Sequence, residues 1–158
     1  MKKKGGKLPY GEGDWIAVPL QSGGFGVGVI ARASKRGKVL FGYFFGPRLN
    51  YLPTIDSARD HVAQNAKLVA IFGDHSLYCH EWRVLGHDSR WDRLKWPMPY
   101  FSRVDERGKA VKVRYSEDDP SVCFEEKPCS IDEARTYLED SMLGSHILAQ
   151  LLDELLIV

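Results

Sequence analysis

His75, Cys79 and His80 bring together the side chains best suited to covalent or metal chemistry. A thiol beside an imidazole can form a nucleophile, and both groups are metal ligands. Reading Ser76 to Leu85 as a strand sets both uses aside, because neighbouring strand residues face opposite ways and Cys79 then diverges from His80. A metal would also need His61, His87 or His146 to arrive from elsewhere. Gly23-Gly24-Phe25-Gly26-Val27-Gly28 has the glycine density of a phosphate-cradling loop. Such a loop must lead into a helix, whereas here a strand follows, so these glycines serve turn and twist. No catalytic residue, metal or cofactor is expected.

Two further groups suit binding. Trp91, Trp96, Tyr100 and Phe101 interleave with Arg90, Arg93, Lys95 and Arg103. That mixture can stack single-stranded nucleic acid, but it equally describes a long loop from Gly86 to Pro99 pinned into a core by its indoles, which is the favoured reading. Glu117, Asp118 and Asp119, with Glu125 and Glu126, lack the twelve-residue spacing and central glycine of a calcium loop. They read as a solvated face or as a surface for a basic partner. Net charge is only +1, yet residues 1 to 50 hold nine Lys or Arg against Glu12 and Asp14, and residues 116 to 158 hold eleven acids against Lys127 and Arg135. Such asymmetry points to a charged partner.

The elements that must carry these groups begin with three apolar runs, Asp14 to Leu20, Phe25 to Ser34 and Val39 to Phe45. They are broken by Gln21-Ser22-Gly23-Gly24 and Lys35-Arg36-Gly37-Lys38, which is turn chemistry, so the pattern predicts a tight antiparallel meander. Pro19 belongs at an edge or a strand end, and an edge is natural for a first strand. Gly26 and Gly28 share one strand face, over which the aromatic third strand should pack. Thr54 can cap a short helix over 55–64. Leu68 to Phe72 and Ser76 to Leu85 should pair as a hairpin across Gly73-Asp74, and Tyr100 to Val104 with Ala110 to Tyr115 across Asp105 to Lys109. Ser130-Ile131-Asp132-Glu133 is a capping box opening a helix that runs towards Met142. Ser145 can cap a second helix whose Ile147, Leu148, Leu151, Leu152, Leu155 and Leu156 form a broad stripe, docked on the sheet or, less favoured, in a dimer. The fold class is α+β, mostly β: an SH3-like, partly open barrel continuing into further hairpins, with C-terminal helices packed on the sheet.

At 158 residues the chain is sized for one domain. A basic, disordered leader is expected over 1–12 and a single domain over 13–158. No apolar stretch approaches the roughly 20 residues that cross a bilayer, and no hydrophobic signal region follows the leader. A cytoplasmic protein is expected. Cys79, Cys123 and Cys129 show no CxxC spacing and read as buried, reduced thiols.

The chain shows in order Gly13-Asp14-Trp15-Ile16-Ala17-Val18-Pro19-Leu20, Gly24-Phe25-Gly26-Val27-Gly28-Val29-Ile30-Ala31-Arg32, and Leu40-Phe41-Gly42-Tyr43-Phe44-Phe45-Gly46. Phe72-Gly73-Asp74, Trp82 with Leu85-Gly86, Trp96-Pro97-Met98-Pro99 and Arg114-Tyr115-Ser116-Glu117-Asp118-Asp119-Pro120 follow. This run of motifs resembles the immunity protein 26 family of bacterial polymorphic-toxin systems. The likeness runs from about Gly13 to about Leu152, with one departure: His80-Glu81-Trp82-Arg83 stands where the family tends to show Gly-x-Trp-Pro. The resemblance implies a mostly-β immunity protein that binds and neutralises a cognate toxin, plausibly a nuclease, in contact-dependent competition between bacteria, with no catalytic residues of its own. On that reading Glu117, Asp118, Asp119, Glu125 and Glu126 steer the partner, and Trp91 and Trp96 anchor it if exposed. No membrane partner is expected, and the protein should be a monomer or weak dimer. The alternatives are a nucleic-acid-binding small β-barrel using Lys35, Arg36 and Lys38 on a hairpin tip, and a small hydrolase using Cys79.

Overall fold

The computed structural model describes residues 8–157. Ten strands form two sheets: β1 (Asp14–Pro19), β2 (Phe25–Ala33), β3 (Val39–Leu49), β4 (Leu68–Gly73), β5 (Arg83–His87), β6 (Phe101–Val104), β7 (Ala110–Tyr115), β8 (Cys123–Cys129), β9 (Leu138–Glu139) and β10 (Met142–Leu143). Four helices accompany them: α1 (Ile55–Ala58), α2 (His75–Tyr78), α3 (Ile131–Ala134) and α4 (Ser145–Leu155). The larger sheet has the order β10-β4-β3-β2-β1-β5 and the smaller β8-β7-β6-β9. The larger sheet is not closed into a barrel.

The first three strands form the predicted meander, with Trp15 opposite Val29 and Val29 opposite Tyr43. Their apolar runs are nearly continuous because both faces of the sheet are covered. On one face Ile16, Val18, Ile30, Leu40, Phe44 and Phe72 join Leu148, Leu152 and Leu156 of α4. On the other, Trp15, Val27, Val29, Phe41, Tyr43 and Phe45 meet Trp96, Met98 and Phe101. Gly28 leaves room for the Phe44 ring, and Gly26 for Leu152: a Cβ at either would lie 2.6 Å from that side chain. The aromatic third strand thus packs over Gly28 as expected, while Gly26 makes room for a helix.

Several predicted elements are corrected. β1 is not an edge, since β5 pairs with it from Asp14 to Ala17; Pro19 lies past that pairing, at the strand end. The expected hairpin of β4 with Ser76 to Leu85 does not form. Instead Leu77 and Trp82 are buried beneath the sheet, Trp82 against Phe44 and Phe72, and this draws the chain across to the far edge. His75 to Tyr78 is helical, which places Cys79 Sγ 3.8 Å from His75 Nε2, so the strand argument for divergence fails here. The helix over 55–64 is a single turn capped by Thr54, followed by a 3-10 turn at 63–65. The Ser130 hydroxyl caps α3 through the Glu133 amide at 3.0 Å. The Glu133 carboxylate pairs with Lys112 and Tyr137 instead of completing the box, and the chain leaves the helix after one turn. Ser145 does not cap α4; it bonds Ser76. The stripe on α4 docks through Leu148, Leu152 and Leu156 and leaves Ile147, Leu151 and Leu155 exposed.

Of the leader, residues 1–7 lie outside the described residues. Leu8 to Glu12 are packed: Tyr10 is buried and its hydroxyl bonds Asp74. The three thiols are free, as expected, but not buried: Cys79 and Cys123 are exposed and Cys129 is half-buried. No helix among the described residues is long and apolar enough to cross a membrane.

Candidate interaction surface

The smaller sheet and the turns around it gather most of the residues singled out for binding. The acidic segment 116–120 leaves β7 as a turn built by Asp119, whose carboxylate accepts from the Ser121 amide at 2.9 Å, and returns as β8. The unpredicted strand β8 carries charges and Pro128, which suits an edge and disguises a strand, since proline cannot donate to a ladder. Among the described residues it pairs with β7 alone, which leaves its outer backbone edge open to them.

Most of the acids are engaged within the chain. Glu117 pairs at 2.5 Å with Arg32, whose side chain is only 2% exposed. Asp118 reaches Arg93 at 3.0 Å, and Arg93 also grips both oxygens of Glu12. Glu126 pairs with Arg103. Glu125 accepts from Tyr100 at 2.8 Å and from Lys127 at 3.1 Å, donors that hold its carboxyl below the usual carboxylate range. Of these pairs Arg32–Glu117 joins the basic first third to the acidic last third, while Arg93, Tyr100 and Arg103 come from the middle of the chain. What remains outward is a smaller acidic rim of Asp118 with the open parts of Glu117 and Glu126, while Asp119 is half-buried with its carboxylate turned to Ser121.

The two indoles are placed differently. Trp96 is 6% exposed, packed edge-on to Trp15 and Tyr43, and is a core prop. Trp91 is half-buried, stacked on Trp96 at 5.9 Å, and its Nε1 donates to Glu12 at 2.9 Å. With Phe101 also buried, these rings pin a loop and do not form an open stacking platform for nucleic acid. Sequence reasoning missed a different aromatic: Phe124 of β8 is 72% exposed, beside half-exposed Val122. The available signal was Val-Cys-Phe set between two acidic groups; without a recognised strand nothing said which way the ring faced.

Other sites offer less for catalysis. His75 and Cys79 approach one another, but on an exposed helix face and not in a cleft, and among the described residues no acid hydrogen-bonds His75. Lys35, Arg36 and Lys38 are exposed at the β2–β3 tip.

Comparison with curated proteins returned no match, and comparison with solved structures returned none. A family model described as Immunity protein 26 matches residues 11–112. The matched segment takes in β1 to β6 and the start of β7, so it holds the larger sheet except β10, together with the pinned tryptophan loop. The acids from Glu117 to Glu126 and α4 lie beyond it. With well over half of its length matched in this way, the chain belongs to the immunity protein 26 family.

Proposed function

We propose that this protein is an immunity factor that binds and neutralises a cognate protein toxin by covering it, with no reaction of its own. The family membership is the observation that carries this reading. It belongs on this reading to a bacterial polymorphic-toxin system and acts in the cytoplasm, as a monomer or weak dimer. The binding surface we favour is the open edge of β8, with Phe124 as the anchor and Asp118 and Glu126 as the rim, Asp119 shaping the turn beside them. An exposed aromatic ringed by charge has the anatomy of a binding hot spot, and a free strand edge offers backbone donors and acceptors for strand addition. A nuclease toxin fits the rim, since an enzyme that holds phosphates presents basic groups and acidic inhibitors are steered to them. Trp91 contributes at the margin, and Trp96 acts by holding the loop.

The test is binding kinetics against the toxin domain encoded beside the gene. Phe124→Ala should speed dissociation by about tenfold or more. Asp118→Lys with Glu126→Lys, both on exposed ion pairs, should slow association and flatten its salt dependence. Glu117 and Asp119 are left unchanged because one holds Arg32 and the other builds the turn. Kinetics indifferent to both variants would remove the β8 surface, and failure of the unaltered chain to bind would remove the immunity reading itself. A salt-sensitive mobility shift with nucleic acid, lost in Lys35→Ala/Arg36→Ala/Lys38→Ala, would favour the nucleic-acid alternative instead.

A further inference from the structure

Away from that surface, His75, Glu81 and His146 offer one ligand atom each, all within 4.8 Å of one another, the one such group among the described residues. Cys79 adds a thiol, its Sγ 3.8 Å from His75 Nε2 and 3.9 Å from Nδ1. Three pieces of chain make the cluster. His75 and Cys79 stand one helical turn apart across α2, so they project from one face. The chain then reverses at His80, with φ 61° the one non-glycine residue of positive φ among the described residues. The Glu81 amide donates to the Ser76 carbonyl at 2.8 Å, which turns Glu81 back towards the helix. His146 comes from the first turn of α4, held in place beside α2 by a buried contact: the Ser76 amide donates to Ser145 Oγ at 3.1 Å, and the two hydroxyls are 2.6 Å apart.

We propose that His75, Glu81 and His146, with Cys79 as fourth donor, bind a zinc-class divalent cation that clasps α2 to α4. Bonds of 2.0–2.3 Å in a tetrahedron place ligand atoms roughly 3.3–3.8 Å apart. The Cys79–His75 separation already meets this. Glu81 Oε2 and His146 Nε2, now hydrogen-bonded at 2.7 Å, must part slightly, His75 must close on them by up to about 1 Å, and Cys79, which stands outside that group of three, must swing in beside His75. All four side chains are exposed, so side-chain rotation suffices. Two imidazoles, a thiolate and a carboxylate favour zinc over magnesium or calcium, which take oxygen donors. The Ser76 hydroxyl, 3.3 Å from Glu81 Oε2, supplies the outer partner that orients a ligating carboxylate. Binding requires neutral imidazoles and an ionised thiol, so it strengthens as pH rises and releases protons.

The full chain, stripped with chelator, should be titrated with cobalt(II) and then zinc(II). One equivalent of cobalt should give the intense visible bands of a four-coordinate site with a near-ultraviolet thiolate charge-transfer band, and zinc should bleach both. The melting temperature should rise with zinc, because the ion binds the folded state. His75→Ala and His146→Ala should each weaken zinc binding by more than the roughly tenfold that outer partners cost. Cys79→Ser should remove the charge-transfer band and move the visible bands to shorter wavelength, with weaker binding that still depends on both histidines. Unchanged metal-free melting of the variants verifies that they fold. Absence of saturable zinc binding at micromolar metal, or binding that survives His75→Ala with His146→Ala, would overturn the site; a charge-transfer band persisting in Cys79→Ser would overturn its fourth donor.

Discussion

Arg32 is one place where the two charge blocks of the chain meet, 85 positions from its partner Glu117; Arg48 with Asp153 is another. Among the described residues the Arg32 guanidinium otherwise donates only to the Ala31 carbonyl, at 2.6 Å, with the Glu12 carboxylate near enough to feel its charge. Glu117→Ala should therefore cost about 2 kcal/mol, the scale of an ionic hydrogen bond whose loss strands a buried cation. Arg32→Met should cost less, because Glu117 is 49% exposed and recovers water while the aliphatic chain keeps its packing. Urea midpoints of the two variants decide this, and the reverse ranking would contradict it. None of this was legible in the sequence, where Arg32 sits within the run Phe25 to Ser34 and nothing local names a partner 85 positions away. The acids 117–119 and 125–126 were legible as a group, but their partners were not, since pairing between distant segments leaves no local pattern.

At the level of elements, what the sequence displayed was set by local chemistry. β1 to β3 were legible because glycine-rich turns separate β-branched and aromatic runs, and the β6–β7 hairpin for the same reason. β5 was misplaced because its partner is β1, and the cause lies in Leu77 and Trp82 seeking the sheet underside. β8 was missed because charge and proline protect an edge. The stripe on α4 showed six apolar residues, but not that only Leu148, Leu152 and Leu156 dock. That docking relies on glycine, and two substitutions separate its parts. Gly28→Ala drives a methyl into the Phe44 ring, which is hemmed by Phe72 and Trp82, and should cost about 1–3 kcal/mol by overpacking. Gly26→Ala meets the end of Leu152, which can rotate away, and should cost less. Thermal or urea unfolding of both variants checks the order.

At the scale of the molecule, distant segments are joined by carboxylates. Burial alone would raise the Glu12 carboxyl, but the Arg93 and Trp91 donors outweigh it and hold it below the usual range. Lys112 and Tyr137 do the same for Glu133, and Ser22 with Arg48 for Asp153 of α4. A carboxyl depressed in the folded state contributes stability that is fully present above its unfolded pKa and is lost as pH falls through the folded value. Stability should thus hold near neutrality and fall progressively below about pH 4.3. Glu12→Gln should lower stability at pH 7 and flatten the acid limb; urea unfolding at pH 7, 4 and 3 measures both, and an unflattened limb would count against Glu12. Residues 138–143 add a tie of another kind, with Leu138–Glu139 running parallel to β6 and Met142–Leu143 parallel to β4. One short strap thus serves both layers. A fluctuation that frees it from the smaller layer slackens its hold on the larger, so local opening spreads between them and the molecule melts as one cooperative unit.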